Sequence, residues 1–525
     1  MPEKLIWGIL FAGSLGWTAS AQEANSDPVA EVLTEIPVVA AAPAVTPETP
    51  AAIPQAEPAP ITLDEAVRQA LSQNINIAIQ RLNPAITATS ELEAKAAFDA
   101  TSNAEIGYSE TSTPRSSEQQ AADGRASTES RRMNAEVGVN KKLSTGTEVG
   151  LTSTTRNSQS TFNQFQDEYD TFAGLTFRHP LLKNSGISAQ RYQIRSAQKQ
   201  LEADQAEFKD QVENTIREVH FAYYDLLFAY EDYKSKEKAL KTAERLMVDN
   251  QNRYELGTMT PLDVGQARSE VSQRMSGLLL AELEIQKNQN RLKRLIFHNF
   301  GDQLKQPVRL ADILPDPETL PPADYNISAG LQQRNDLQSL LSDAERAGME
   351  IKFRKNQMYP QLDLSGRIGL QGRDNDFDAT VQNIIETRDE AWGVGMSITF
   401  PWGLRAEKAR LKRSELQKDQ LMLRIKQKEH DIIQEITEAY QEAENARLRH
   451  LNNRQARIIS ERTAEAEEEK LSEGISTSYT VLQLQRDVVT ARTRELNSLV
   501  VYYRSLIELR RAQGLLLDDH GLIWE

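Results

Sequence analysis

Apolar side chains recur at steps of three and four through two unusually long stretches of the chain. In the first they fall at Ile194, Ala197, Leu201, Phe208, Val212, Ile216, Val219, Tyr223, Leu226 and Tyr230; in the second at Leu421, Ile425, Ile432, Ile436, Ala439, Ala443 and Ala446. That spacing keeps one stripe on one side of an α-helix. Neither stretch contains a helix breaker: 70 residues separate Gly186 from Gly257 and 70 separate Gly403 from Gly474, with no glycine or proline between. Ordinary helices average about 11 to 12 residues, so the matching lengths mark an internal duplication. At about 1.5 Å per residue each predicted helix is about 105 Å long.

The flanks are duplicated too. Ala173, Leu175 and Phe177 alternate before Pro180, and Trp392, Val394, Met396, Ile398 and Phe400 alternate before Pro401. A period of two predicts a strand with one apolar face; in the second copy the other face is Gly393, Gly395, Ser397 and Thr399. That division suits a wall between lipid and water, and a strand lying on a soluble core has the same pattern. Earlier strands are predicted around Ile106 and Tyr108 and around Leu362, Leu364, Ile368 and Leu370. Each half therefore reads helix, strand, loop, strand, very long helix, tight turn, helix. The first half carries an extra hairpin at about 134–155, with Val137, Val139 and Leu143, a Ser144-Thr145-Gly146 turn, then Val149 and Leu151. It either joins the wall or extends the loops above it. Gly138, Asn140, Lys141 and Lys142 favour the loop extension, being poor neighbours for lipid. Four to six strands cannot close a barrel, and an open edge in hydrocarbon leaves amides unpaired, so several copies must share one barrel.

After each long helix the chain reverses. Gly257 stands where a left-handed residue ends a helix, and Thr260-Pro261-Leu262-Asp263 supplies an N-cap, a first-turn proline and an acid. Gly474-Ile475-Ser476-Thr477 repeats the turn, with Thr477 in the place of Thr260. Returning helices are predicted at 261–298 and 478–514, about half as long as their partners. Shorter helices at about 62–98 and 326–357 supply the missing halves. The first opens on Thr62-Leu63-Asp64-Glu65, a capping box in which Thr62 and Glu65 satisfy first-turn amides.

Ahead of this, Lys4, an apolar run from Leu5 to Trp17 and Ala19-Ser20-Ala21 read as an export signal over 1–21, with a buried helix as the plainer alternative. Residues 22–60 carry prolines at 28, 37, 43, 47, 50, 54, 58 and 60, which denies them a packed core and predicts a disordered linker. The expected layout continues with a first repeat at 61–298, a connector at 299–325, a second repeat at 326–514 and a tail at 515–525.

Composition removes whole classes of mechanism. With 61 basic against 76 acidic residues the net charge is −15, which argues against nucleic acid or anionic lipid as a partner. The absence of cysteine excludes disulfides, thiolate chemistry and lipidation at an N-terminal cysteine. Beyond the first twenty residues no run has the roughly 18 apolar residues of a membrane-spanning helix, so entry into a bilayer requires a β-barrel. The six histidines, at 179, 220, 298, 430, 450 and 520, show no metal-ligand spacing, and the glycine-rich run from Gly366 to Gly372 lies inside an alternating strand rather than before a helix. No enzyme, metal site or cofactor is expected.

In the order and spacing of its motifs the chain resembles the TolC-like outer-membrane efflux protein family over about residues 61–514. The residues that carry the likeness are Thr62-Leu63-Asp64-Glu65-Ala66 with Ala70-Leu71-Ser72-Gln73-Asn74, Arg178-His179-Pro180-Leu181-Leu182, Tyr254-Glu255-Leu256-Gly257-Thr258 and Pro261-Leu262-Asp263-Val264. The second copy adds Gly330-Leu331-Gln332-Gln333-Arg334-Asn335-Asp336-Leu337, Phe400-Pro401-Trp402-Gly403 and Glu473-Gly474. The resemblance implies an α-helical coiled-coil tunnel joined to a transmembrane β-barrel: a homotrimer sharing one twelve-stranded barrel and a periplasmic tunnel of twelve helices. It implies a passive exit duct in the outer membrane of a Gram-negative-type envelope, in contact with outer-membrane lipid and projecting into the periplasm. Its implied partners are a periplasmic adaptor and an inner-membrane pump of resistance-nodulation-division, ATP-binding-cassette or major-facilitator type, serving efflux or type I secretion. A periplasmic coiled-coil scaffold, or the adaptor itself, is the rival reading; it accounts for the helices but not for the recurring strand pairs.

The hairpin tips are the expected adaptor contact, through Leu256, Gly257, Thr258, Thr260, Pro261, Gly474, Ile475, Ser476 and Thr477. Arg253, Tyr254, Asp263, Gln266, Thr480, Gln483, Arg486 and Asp487 are candidates for the tunnel mouth. Where the family often carries acids six and nine residues after the second-hairpin glycine, this chain has Thr480 and Gln483; Asp487, seven residues beyond Thr480, places an acid on the same face one to two turns deeper. Asp263 has two readings, a helix cap or a tie to Arg253 or Arg486 of a neighbouring hairpin.

Overall fold

The computed structural model describes residues 60–521 apart from 314–315, 318–322 and 387. The expected export signal and all of the linker except Pro60 lie outside the described residues. The elements, in chain order, are α1 (Leu63–Gln73), α2 (Ile75–Ala96), β1 (Ala100–Pro114), α3 (Ser117–Asp123), β2 (Ser127–Lys142), β3 (Glu148–Ser160), β4 (Tyr169–Pro180), α4 (Ile187–Gln190), α5 (Tyr192–Glu255), α6 (Pro261–Ile296) and α7 (Phe300–Gln303). The second half follows with α8 (Ala323–Gln333), α9 (Asn335–Gln357), β5 (Gln361–Asp374), α10 (Phe377–Glu386), β6 (Asp389–Thr399), α11 (Arg405–Ser472), α12 (Ser478–Ala512) and α13 (Leu516–Asp519).

The long helices α5 and α11 have 64 and 68 residues, about 96 and 102 Å at the standard rise. The predicted stripes are their inner faces: Val212, Ile216, Val219, Tyr223 and Leu226 are at most 1% exposed on α5, as are Ile432, Ile436, Ala443 and Ala446 on α11. Near mid-length, α5 packs with α1, α6 and α12 around Tyr223, Leu226, Leu292, Ile296 and Tyr502. A second cluster joins Leu337 to Ile425, Ile432, Ile436 and Leu509. Among the described residues no helix is long and apolar enough to cross a membrane.

The short helices that complete each bundle are broken where the sequence reads as continuous. Asn74 and Arg334 sit at equivalent bends with nearly the same backbone, φ −68° and ψ 125° against φ −64° and ψ 121°. Different chemistry holds them. The Asn74 side chain accepts from the amides of Asn76 and Ile77, at 2.8 and 3.2 Å, and donates to the Leu295 carbonyl at 2.8 Å. Arg334, 4% exposed, instead binds Asp336 and Glu435. The capping box expected at α1 forms only in half. Thr62 accepts from the Glu65 amide at 3.3 Å, and the Leu63 amide donates to Asp312 of the connector, 249 positions away, at 2.7 Å, so a distant carboxylate and not Glu65 meets a second amide of the first turn.

All six strands form one antiparallel sheet in chain order. One row of the register runs Ala100, Lys141, Val149, Phe177, Gly366, Val394 across the full width. The extra hairpin is therefore β2 and β3, inside the sheet between β1 and β4, and the favoured loop extension is corrected. Side-chain parity is the reason. Val137 and Val139 share the face of Leu151, Leu175, Ile368 and Trp392, with Lys141 at the end of that row beside the helices, whereas Gly138, Asn140 and Lys142 point to the other face, which is mostly polar. The turn at 143–147 also lies at the helical end: Thr147 Oγ1 is 2.9 Å from His179 Nδ1, and a Cβ on Gly146 would meet Gln190 and Pro180. Lys141 thus sits beside the helices, at the opposite end from α3 and α10.

Gly174 and Gly369 face each other across β4 and β5. A Cβ on Gly174 would lie 2.6 Å from the Gly369 Cα, and the Phe172 ring covers both glycines. The Arg367 guanidinium lies 5.4 Å from the centre of that ring.

Candidate channel wall and mouth

The apolar face of the sheet has no cover within the chain. Trp392, Val394, Met396, Ile398, Ile368, Leu151, Ile106 and Tyr108 are 60 to 75% exposed. An apolar surface spanning six strands exceeds what a soluble protein leaves to water, and lipid is the solvent it fits. The opposite face carries Asn140, Thr176, Ser365, Ser397 and paired charges such as Arg178 with Asp363 at 2.5 Å. A polar lining behind an apolar skin is the cross-section of a water-filled barrel wall.

At the far ends of the long helices the two tips are built alike. Gly257 and Gly474 adopt φ +76° and +78°, which glycine reaches without steric cost. At the first tip the Thr258 amide donates to the Arg253 carbonyl at 2.9 Å; at the second the Ile475 amide donates to the Lys470 carbonyl at 2.9 Å. Both helix ends are thus closed by the same six-residue loop. Pro261 opens α6, and Thr260 and Asp263 form the reciprocal cap: the Asp263 amide donates to Thr260 Oγ1 at 3.3 Å, and the Thr260 amide to the Asp263 carboxylate at 3.0 Å. Thr477 caps α12 by accepting from the Thr480 amide at 3.3 Å. Leu256, Leu262, Ile475 and Tyr479 project from the tips at 57 to 79% exposure, and Tyr254 is 42% exposed.

Asp263 caps its own helix, and neither Arg253 nor Arg486 of the same chain reaches it. Arg253 donates instead to the Leu471 carbonyl at 3.3 Å, and Arg486 to Glu270, from Nε at 2.8 Å. Glu270 is 1% exposed and also holds Arg274 at 2.6 Å. Burial pushes its carboxyl up, but the two arginines outweigh burial and hold it below the usual carboxylate range. The sequence offered a sign of this, since Glu270 lies seven residues beyond Asp263 on the same helical face. Below it the buried Ser478 hydroxyl meets Asn250 at 3.1 Å. Gln266 and Thr480 are half-buried, and Gln483 and Asp487 are exposed. Two histidines 300 positions apart also meet: His220 and His520 approach at 3.0 Å through their Nε2 atoms, which no local spacing revealed.

Comparison with known proteins agrees with this geometry. The family model described as outer membrane efflux protein matches residues 119–296 and 326–515. Among solved structures, the chain is similar to the Campylobacter jejuni CmeC outer membrane channel, with TM-score 0.65, 16% identity, and 86% of this chain and 85% of that chain covered. It is similar to the outer membrane protein VceC of Vibrio cholerae, with TM-score 0.62, 18% identity, and 86% and 96% covered. It is also similar to the open state of the Neisseria gonorrhoeae MtrE outer membrane channel, with TM-score 0.59, 16% identity, and 86% and 88% covered. Sequence comparison with curated proteins finds no match. The chain belongs to the outer membrane efflux protein family and is the outer-membrane exit duct of a tripartite system, its helices projecting into the periplasm towards an adaptor and an inner-membrane pump.

Proposed function

We propose that three copies close a single barrel of eighteen strands over a tunnel of twelve helices, and that the tips around Gly257–Asp263 and Gly474–Thr480 form its periplasmic mouth. The observation that carries this reading is the sheet itself: six strands, one apolar face, and outer edges on β1 and β6 that no strand of the same chain pairs among the described residues. In hydrocarbon such edges must be paired, and the neighbouring copy's complementary edge is the simplest partner. A further seam asks for neighbours on the helical side, where Ile75, Ile79, Leu82 and Ile86 lie at steps of four, three and four, 48 to 62% exposed.

Six strands per chain alter the expected twelve-stranded barrel. With strands about 4.8 Å apart and tilted by about 40°, eighteen close at a diameter of about 36 Å and twelve at about 24 Å. The wider wall leaves the mouth as the narrow point. There Glu270–Arg486, Asn250–Ser478 and Arg253–Leu471 hold one hairpin to the other, and the exposed Leu256, Leu262, Ile475 and Tyr479 offer an adaptor its contact. The pump supplies the energy. Mass measurement of the detergent-extracted protein tests the assembly: three times the chain mass is expected, and a monodisperse monomer refutes it.

A further inference from the structure

The glycine-rich run from Gly366 to Gly372 ends beneath a helix. By alternation Gly372 belongs to the apolar face of the sheet, with Ile368 and Leu370, and α10 (Phe377–Glu386) lies across it. A Cβ on Gly372 would meet the Thr380 carbonyl at 2.5 Å and Ile384 Cγ1 at 2.9 Å, so the missing side chain is what lets the helix backbone rest on the strand. Tyr169, on the same face of β4, meets Phe377 edge-on with ring centres 5.9 Å apart. Thr380 is fully buried, and Thr171, the register partner of Gly372, is 3% exposed. The helix is therefore seated on the outside of the wall, at the end away from the tunnel, and not over the opening.

Asn383 fixes which way the helix is turned. Its side-chain amide donates to the Asp374 carboxylate at 3.2 Å and to the Arg373 carbonyl at 3.5 Å, the last residues of β5. Val381 and Ile385 stand two residues to either side of Asn383 and about 200° around the helix from it, on the flank turned back down the strand. They are 38% and 68% exposed. Leu370 lies about 7 Å and Ile368 about 13 Å along the strand from Gly372, so this flank continues the apolar band of the wall. The remaining sides carry Gln382, Asn383 and Glu386, with Asp378 in the first turn; α10 has two acids and no base. Such a helix has nothing to offer a phosphate, and hydrocarbon is what its free flank suits. We propose that α10 is an interfacial helix, lying in the plane of the outer leaflet with Val381 and Ile385 among the tops of the acyl chains and its polar side among the headgroups. Helices of this kind bury their apolar face about 5 to 10 Å into that boundary. The assignment rests on the lipid-facing reading of the wall and adds an element that sets how deep the barrel sits.

Single cysteines in a chain that has none report each side separately. Ile385→Cys, Gln382→Cys and Met396→Cys are labelled with bimane, reconstituted as the intact assembly into phosphatidylcholine vesicles, and quenched either by a lipid spin-labelled near the top of its acyl chain or by iodide present on both sides. The lipid is expected to quench position 385 at least about twofold more than position 382, and iodide the reverse. Gly372→Val, which unseats the helix, lowers lipid quenching at position 385 and leaves it unchanged at position 396; an unaltered signal at 385 in that variant overturns the seat on Gly372. Iodide quenching at 385 without lipid quenching puts α10 in water above the membrane, and protection from both puts its flank against a neighbouring copy. Either result overturns the proposal while position 396, on the wall itself, still reports lipid. Loss of lipid quenching at 396 as well overturns the lipid-facing wall and the proposal with it.

Discussion

Replacing Arg486 by alanine cuts the charged tie between the hairpins that ends on a buried carboxylate. Glu270 is 1% exposed and receives both Arg486 and Arg274, whereas Arg486 is itself half-exposed. Stripping a buried carboxylate of its only partner costs about 3 to 5 kcal/mol. Here Arg274 stays in place and water reaches the Arg486 side, so the loss falls to about 1 to 3 kcal/mol per chain. If the bond holds the mouth, most of that loss appears in the opening equilibrium. At 1.4 kcal/mol per factor of ten, the open-to-closed ratio of each hairpin pair rises about 5- to 150-fold. Single-channel recording in planar bilayers reads this as a larger open fraction, and Glu270→Gln with the double variant completes a cycle whose coupling energy equals the tie. The reasoning is refuted if Arg486→Ala lowers the melting temperature while conductance and open fraction stay at parent values, because the pair then stabilises the fold alone.

Other consequences follow from the same contacts. The Glu270 carboxyl is held below its ordinary value, so its tie is fully present above the unfolded carboxylate pKa and is lost as pH falls through the lowered folded one; conductance is expected to rise only in acid below the ordinary carboxylate range, and a rise already complete at about pH 6 contradicts the assignment. Glu213, 3% exposed beside Asp210 and near Arg511, has its carboxyl pushed up to about 7 by burial and then by Asp210. The folded chain therefore keeps a proton that the unfolded chain has released, and stability falls as pH rises from about 4.5 to 7, by about 3 kcal/mol. Glu213→Gln removes that slope and raises the melting temperature at pH 8, which calorimetry at pH 5 and pH 8 checks. Gly369→Val forces a Cβ within 2.6 Å of the Gly174 Cα and under the Phe172 ring, costing about 1 to 3 kcal/mol, seen as earlier loss of the heat-resistant assembly on gels. Because the chain has no cysteine, a single Ser144→Cys is a unique label: an impermeant maleimide added to intact cells is expected to miss it and to reach Gln119→Cys, and labelling of both restores the external-loop reading.

The architecture was legible wherever it is written in local spacing. Steps of three and four fixed α5 and α11, Gly257 and Gly474 fixed the reversals, and alternation fixed β4 and β6, because each rests on neighbours within a turn or a pleat. What escaped was set by distant partners. The hairpin at 127–160 was misplaced by reading Gly138, Asn140, Lys141 and Lys142 as one polar run, when Gly138, Asn140 and Lys142 occupy alternate positions on the water side and Lys141 ends the row of Val137 and Val139 at the helical rim. The bends at Asn74 and Arg334 carry no glycine or proline; one is held by the Leu295 carbonyl and the other by Glu435, residues 221 and 101 positions away. That Arg486 meets Glu270 was not legible, because the level at which two long helices meet is decided by their packing and not by either sequence alone.

Electron cryo-microscopy of the detergent-extracted assembly tests the central claim most directly, since it shows strand count, copy number and conduit together. The account predicts three copies around one continuous passage, with eighteen strands in the wall, β6 of each copy paired to β1 of the next, and the mouth closed at the level of Glu270 and Arg486. A barrel of twelve strands with β2 and β3 outside the wall, or a single copy whose β1 and β6 edges stay unpaired, contradicts it.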